Sequence, residues 1–151
     1  MLAYPAIDPV AVSLGPVKIH WYGLTYIGGL AFAWWFARRR SNAPHSPLKS
    51  DQIDDLIFYA AVGIVLGGRL GYALFYGTER LAADPLWLFR VWEGGMAFHG
   101  GLLGVLVAMA VFARQRGIDW GRLMDFVAPL TPVGLALGRL GNFIGQELWG
   151  R

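Results

Sequence analysis

Leu56-Ile57-Phe58-Tyr59-Ala60-Ala61-Val62-Gly63-Ile64-Val65-Leu66-Gly67-Gly68-Arg69-Leu70-Gly71-Tyr72-Ala73-Leu74-Phe75-Tyr76 is an apolar run broken by one charge, Arg69. A bilayer core of about 30 Å is crossed by roughly 20 helical residues, so a run of this length and composition reads as a membrane span. Three similar runs flank it. Ile19 to Ala37 has no formal charge, Gly94 to Ala113 holds His99 as its sole ionisable group, and Phe126 to Phe143 is interrupted by Arg139. With their flanks the expected spans are 19–37, 54–76, 94–113 and 123–144. The fold class is all-α: a polytopic membrane helix bundle with four transmembrane helices, read as one membrane domain over 1–151.

Composition agrees. Hydrophobic residues make up 56% of the chain and charged residues 15%, against about 25% charged in soluble domains; the mean hydropathy is +0.45. Seven tryptophans and 21 glycines suit bilayer interfaces and close helix contacts, respectively. The pI near 9.5 does not point to nucleic acid, because the basic residues abut apolar runs and form no long polar stripe. The chain has no cysteine, which excludes disulfides, thiolate metal ligands and a cysteine nucleophile of its own. Residues 1–18 contain Pro5, Asp8, Pro9 and Pro16 and lack a basic n-region, so they read as an extended or interfacial arm and not as a signal peptide.

Charge sets the orientation. The first connection carries Arg38, Arg39, Arg40 and Lys49, and the third carries Arg114, Arg116 and Arg122. In the second, Arg80 and Arg90 are balanced by Glu79 and Asp84. The positive-inside rule then puts the first and third connections in the cytoplasm and the N-terminal arm on the outer side. Asp51, Asp54 and Asp55 open the second helix, where carboxylates complement the helix dipole. Gly63, Gly67 and Gly71 share one helix face, as do Gly134, Gly138, Gly141 and Gly145, and such faces let backbones approach closely. Pro129 and Pro132 imply a kink in the last span.

Ionisable groups inside a span are costly and call for a reason. At about 1.5 Å per residue, Arg69 lies roughly 24 Å and Arg139 roughly 20 Å from the cytoplasmic end of their helices. His99 lies about 6–8 Å in from the opposite side, and Tyr22 sits near the outer end of the first helix. Four helices thus place polar groups in one outer layer. Arg69 is also placed to snorkel to the interface, and Tyr22 to join an aromatic belt. Glycines on both sides of His99, at Gly94, Gly95, Gly100 and Gly101, allow close approach to the imidazole. The guanidinium of Arg139 suits a phosphate; Asn142 shares its helix face, and Glu147 follows at the rim. From the residues alone this is a membrane-embedded site for an anionic phospholipid with a histidine beside it. An anion-transport subunit would spread such groups through the full depth. An intramembrane serine hydrolase lacks its nucleophile, since Ser13, Ser41, Ser46 and Ser50 all fall outside the spans. A purely structural packing subunit explains the glycines but neither His99 nor Arg139.

Five motifs then occur in order: His20-Trp21-Tyr22-Gly23, Gly67-Gly68-Arg69-Leu70-Gly71-Tyr72, the run from Trp92 to Gly101, Gly138-Arg139-Leu140-Gly141-Asn142-Phe143-Ile144, and Glu147-Leu148-Trp149-Gly150-Arg151. Together they resemble the prolipoprotein diacylglyceryl transferases over nearly the whole chain. The resemblance implies transfer of the diacylglyceryl group of phosphatidylglycerol to the lipobox cysteine thiol of a prolipoprotein, with no cofactor and no metal. It implies His99 as general base, Tyr22 as its orienting or relay partner, and Arg139 on the phosphate. Asn142, Glu147 and Arg69 complete the implied phospholipid-binding set. Gly145-Gln146 departs from the family's usual Asn-Gly. The family is also longer, with about seven spans and a later catalytic arginine, so the chain is expected to be a truncated portion.

Overall fold

The computed structural model describes residues 7–15 and 17–145. It begins with an antiparallel hairpin, β1 (Val10–Leu14) and β2 (Val17–His20), in which Val12 faces Ile19 and Val10 faces His20. Six helices follow: α1 (Trp21–Ser41), α2 (Ile53–Tyr76), α3 (Thr78–Ala83), α4 (Phe98–Arg116), α5 (Trp120–Val127) and α6 (Thr131–Ile144). Short 3-10 turns occupy Ser50–Gln52, Pro85–Phe89, Val91–Glu93 and Ala128–Leu130.

The helical membrane architecture stands, with three corrections. The hairpin takes Ile19 and His20 out of the expected first span, because both pair with β1; α1 starts at Trp21. The expected third span opens late. Gly94 and Gly95 have φ of +77° and +84°, a left-handed backbone that only glycine adopts readily, so the chain turns there and α4 starts at Phe98. Finally, among the described residues three helical stretches are long and apolar enough to cross a bilayer: Ser50–Tyr76, Phe98–Arg116 and Trp120–Ile144. The first expected span, α1, has the length at 21 residues, but its Trp, Tyr and Gly residues and the arginines of its last turn lower its apolarity. Those arginines complement the carbonyl end of the helix dipole, and Arg38 lies 4.6 Å from the Trp34 ring centroid.

Two compact units form, Pro47–Leu123 and Met1–Ser46 with Met124–Arg151. In the first, α2 and α4 pack antiparallel through glycines. A Cβ added to Gly67 would lie 2.7 Å from Gly104 Cα, and one added to Gly71 would lie 2.8 Å from Gly100 Cα. Only hydrogen at these positions permits so close a contact, the geometry by which small residues drive helix association in lipid. At the far end of the pair Tyr59 donates to Gln115 Oε1 at 2.6 Å. Arg116 pairs with Asp55 beside it, so one of the three aspartates neutralises a basic side chain of α4. Gly117, at φ +63°, ends α4 and returns its N–H to the carbonyls of Ala113 and Arg114, a glycine cap. Asp119 then opens α5 by accepting the Arg122 N–H at 2.9 Å, a capping bond of the usual kind.

In the second unit α1 packs on α6. A Cβ on Gly29 would meet Gly134 Cα at 3.3 Å, and one on Gly141 would meet Thr25 Oγ1 at 2.6 Å and Tyr22 Cδ2 at 3.1 Å. The glycine face expected on α2 is therefore a packing face; on α6 the tight contact is at Gly141, while a Cβ on Gly138 would reach Tyr26 Oη only at 4.0 Å and one on Gly134 would meet nothing within 4 Å. Pro129 falls in the 3-10 turn between α5 and α6, and Pro132 in the first turn of α6. Outward, large apolar side chains such as Ile27, Phe58, Phe75, Leu103 and Leu135 are exposed. Ile27 and Leu135 lie in one unit and Phe58, Phe75 and Leu103 in the other, and exposed apolar side chains of this kind suit contact with lipid.

Candidate active site

Arg69 is the most constrained charged group among the described residues. It is 2% exposed, and its guanidinium has five N–H donors and no means of losing its charge. Each donor meets a backbone carbonyl. Nε donates to Leu88 at 3.0 Å. Nη2 donates to Trp87 at 2.8 Å and Arg90 at 3.1 Å. Nη1 donates to Gly94 and, at 3.3 Å, to Gly95. The Trp87 and Arg90 carbonyls also accept the N–H groups of Arg90 and Glu93 in the 3-10 turns, while those of Leu88, Gly94 and Gly95 have no backbone donor among the described residues and are satisfied by Arg69. The Trp87 ring lies between two cations, 4.4 Å from the Arg69 guanidinium carbon and 4.7 Å from that of Arg80. Arg80 pairs with Glu93 at 2.5 Å and Arg90 with Asp84 at 3.0 Å. The sequence placed Arg69 among the phospholipid ligands. In the structure its donors instead meet backbone carbonyls of the 87–95 segment.

His99 is the second residue of α4 and is exposed. Its ring contacts Phe98 edge-on at 5.6 Å, and it makes no hydrogen bond with the described residues. The imidazole is therefore open to an incoming group.

The other unit holds Tyr22, Arg139 and Asn142. Tyr22, in the first turn of α1, lies against Gly141, the residue between Leu140 and Asn142 on α6. Its hydroxyl is 3.0 Å from that of Tyr26, a partner that sequence reasoning missed although the i, i+4 spacing signals it. Arg139 is exposed and makes no ion pair or hydrogen bond with the described residues; Asn142 is half-buried. An open, largely apolar groove of about 700 Å³ is lined by Ile19, His20, Trp21, Tyr22, Ile144 and Gly145, among others. Glu147 lies outside the described residues. Tyr22 thus meets the α6 turn that carries Asn142, while His99 belongs to the α2–α4 unit.

In one unit the exposed imidazole of His99 is suited to proton transfer; in the other the exposed guanidinium of Arg139 is suited to an anion, and a tyrosine pair lies beside an apolar groove. The comparison with known families meets these residues. The prolipoprotein diacylglyceryl transferase family matches residues 9–151. The chain belongs to that family. It is 62% identical over its whole length to a phosphatidylglycerol–prolipoprotein diacylglyceryl transferase of Chromohalobacter salexigens, of which it covers 56%. It is 59% identical to the protein of the same name in Methylococcus capsulatus, of which it covers 58%. For that of Teredinibacter turnerae the values are 56% and 56%. The chain thus spans little more than half the length of the relatives it matches.

Proposed function

We propose that this chain supplies the His99 and Arg139 portion of an enzyme that moves the diacylglyceryl group of phosphatidylglycerol onto the lipobox cysteine of a prolipoprotein. The observation that carries the reading is whole-chain similarity to transferases of that name, combined with an exposed imidazole and a guanidinium uncommitted among the described residues. His99 takes the thiol proton as general base, because the thiolate is the competent nucleophile. Sulfur attacks the glyceryl carbon next to the phosphate. The carbon–oxygen bond breaks, its electron pair passes to the phosphate, and glycerol phosphate leaves as the thioether forms. Arg139 holds the phosphate as its charge grows, with Asn142 and Glu147 positioning the headgroup and Tyr22 orienting the reacting groups. The nucleophile belongs to the substrate, in accord with a chain without cysteine.

The test is reconstitution of the intact enzyme in vesicles with phosphatidylglycerol labelled in its diacylglyceryl part and a lipobox peptide. Label should pass to a cysteine peptide with one glycerol phosphate released per transfer, and none should pass to a serine peptide. Failure of the cysteine peptide to take up label would refute the assignment. We further propose a multi-pass protein of the bacterial inner membrane with a periplasmic N-terminus, from the arginines of the first and third connections. A cysteine placed at Ala82 is expected to react with an impermeant thiol reagent in intact cells, and one at Asn42 to stay protected. The reverse pattern would invert the topology.

A further inference from the structure

The Arg69 cluster explains how a histidine at the mouth of a helix is held in place. The segment Gly94–Ala97 leads directly into α4 and is tied to two consecutive residues of α2. Arg69 grips the carbonyls of Gly94 and Gly95. Gly68 takes the Ala97 N–H on its carbonyl at 2.9 Å. A Cβ on Gly68 would fall 2.7 Å from Met96 Cε, and one on Gly95 would fall 2.7 Å from Tyr72 Cδ1. The chain is therefore fixed at four successive residues, and His99 follows two residues later. A buried arginine needs compensation for its charge, and here five carbonyl dipoles provide it. The arrangement is stable only with the loop in this conformation. Nothing about a headgroup ligand would call for all five donors to point at backbone.

We infer that Arg69 is a positioning residue for His99, acting through the Gly94–Gly95 turn; the inference rests on the reading of His99 as the base. Lysine at 69 keeps the charge but cannot span five carbonyls in a planar fork. The turn then relaxes and the imidazole drifts from the thiol. A displacement of about 1 Å at a reacting group lowers turnover by roughly 100-fold.

The experiment measures kcat, and KM for phosphatidylglycerol, in the intact enzyme reconstituted in vesicles. Arg69→Lys should lower kcat by roughly 10- to 100-fold with KM within about twofold. Arg69→Gln should lower kcat further. Adding His99→Gln to Arg69→Lys should produce far less loss than the product of the two single effects, because residues acting as one unit are non-additive. Gly94→Ala gives an independent arm. Its Cβ meets nothing within 4 Å, so the substitution acts only on a backbone at φ +77°, and it should also lower kcat with KM unchanged. Should the Arg69 variants fail to insert, Gly94→Ala decides. A raised KM with normal kcat in Arg69→Lys would make Arg69 a headgroup ligand and overturn the inference. So would wild-type kinetics in Gly94→Ala, or fully multiplicative losses in the double variant. Wild-type turnover in Arg69→Lys with His99→Gln inactive would overturn the inference alone. Normal turnover in His99→Gln would instead remove the reading on which it rests.

Discussion

His99→Gln is expected to lower diacylglyceryl transfer by roughly 10²- to 10⁴-fold, the usual contribution of a positioned general base, while the protein still inserts and folds. The structure separates these two effects. His99 is exposed and makes no hydrogen bond with the described residues, so its replacement leaves no buried partner unsatisfied, and a polar amide at an exposed helix start is well tolerated. The loss should therefore be chemical. It should fall on kcat, since proton removal is needed only as the thiol becomes a nucleophile. The informative rescue is on the substrate side. At pH above the ordinary thiol range near 8.5 the peptide cysteine ionises without help, and His99→Gln should regain much of its deficit relative to wild type. Transfer by His99→Gln at the wild-type rate at neutral pH would remove the histidine from the mechanism. A deficit that stays constant at high pH would assign it a role other than taking the thiol proton.

What could be read from the sequence divides along physical lines. The helical, membrane-embedded class was legible because apolar run length is a local property, and TM-length helices cover residues 50–76, 98–116 and 120–144. The face Gly63–Gly67–Gly71 was legible because glycine at every fourth position marks one side of a helix. Its partners Gly100 and Gly104 were not identified, because pairing is a non-local fact. The surroundings of Arg69 were not legible for a related reason. An arginine in a span announces that something must compensate its charge, and sequence directs attention to anions. Every residue carries a carbonyl, so a set of five backbone acceptors has no sequence signature. Gly94 and Gly95 were read as room for a substrate. Their left-handed backbone makes them the turn that Arg69 grips. The hairpin from Val10 to His20 was hidden because Ile19 and His20 run directly into the apolar pattern of α1. The convergence of His99, Arg139 and Tyr22 in one outer layer remains a proposal from helix depth, and the kinetic experiments test it.

Arg139→Ala is expected to lower kcat by roughly 10²- to 10³-fold, equivalent to about 3–4 kcal/mol of transition-state stabilisation. The argument is one of differential charge. A phosphodiester in the ground state carries one negative charge; as the carbon–oxygen bond breaks, the departing monoester gains a second. A fixed cation beside it therefore interacts more strongly with the transition state than with bound phosphatidylglycerol, and interactions of that kind appear in kcat more than in KM. Arg139→Lys should recover part of the loss, since an ammonium keeps the charge but not the two parallel N–H bonds of the fork. Asn142→Ala should cost less than Arg139→Ala, because a neutral amide responds weakly to growing charge. Contrast with Arg69 sharpens the expectation. Removing Arg69 would leave the carbonyls of Leu88, Gly94 and Gly95 without a donor among the described residues, whereas Arg139 is exposed and makes no hydrogen bond with the described residues, so Arg139→Ala should leave insertion and thermal stability near wild type. The deciding measurement is kcat and KM for phosphatidylglycerol across wild type, Arg139→Lys and Arg139→Ala. A rise in KM alone would reduce Arg139 to uniform headgroup binding, and unchanged values of both would show that the leaving phosphate is stabilised by some other group.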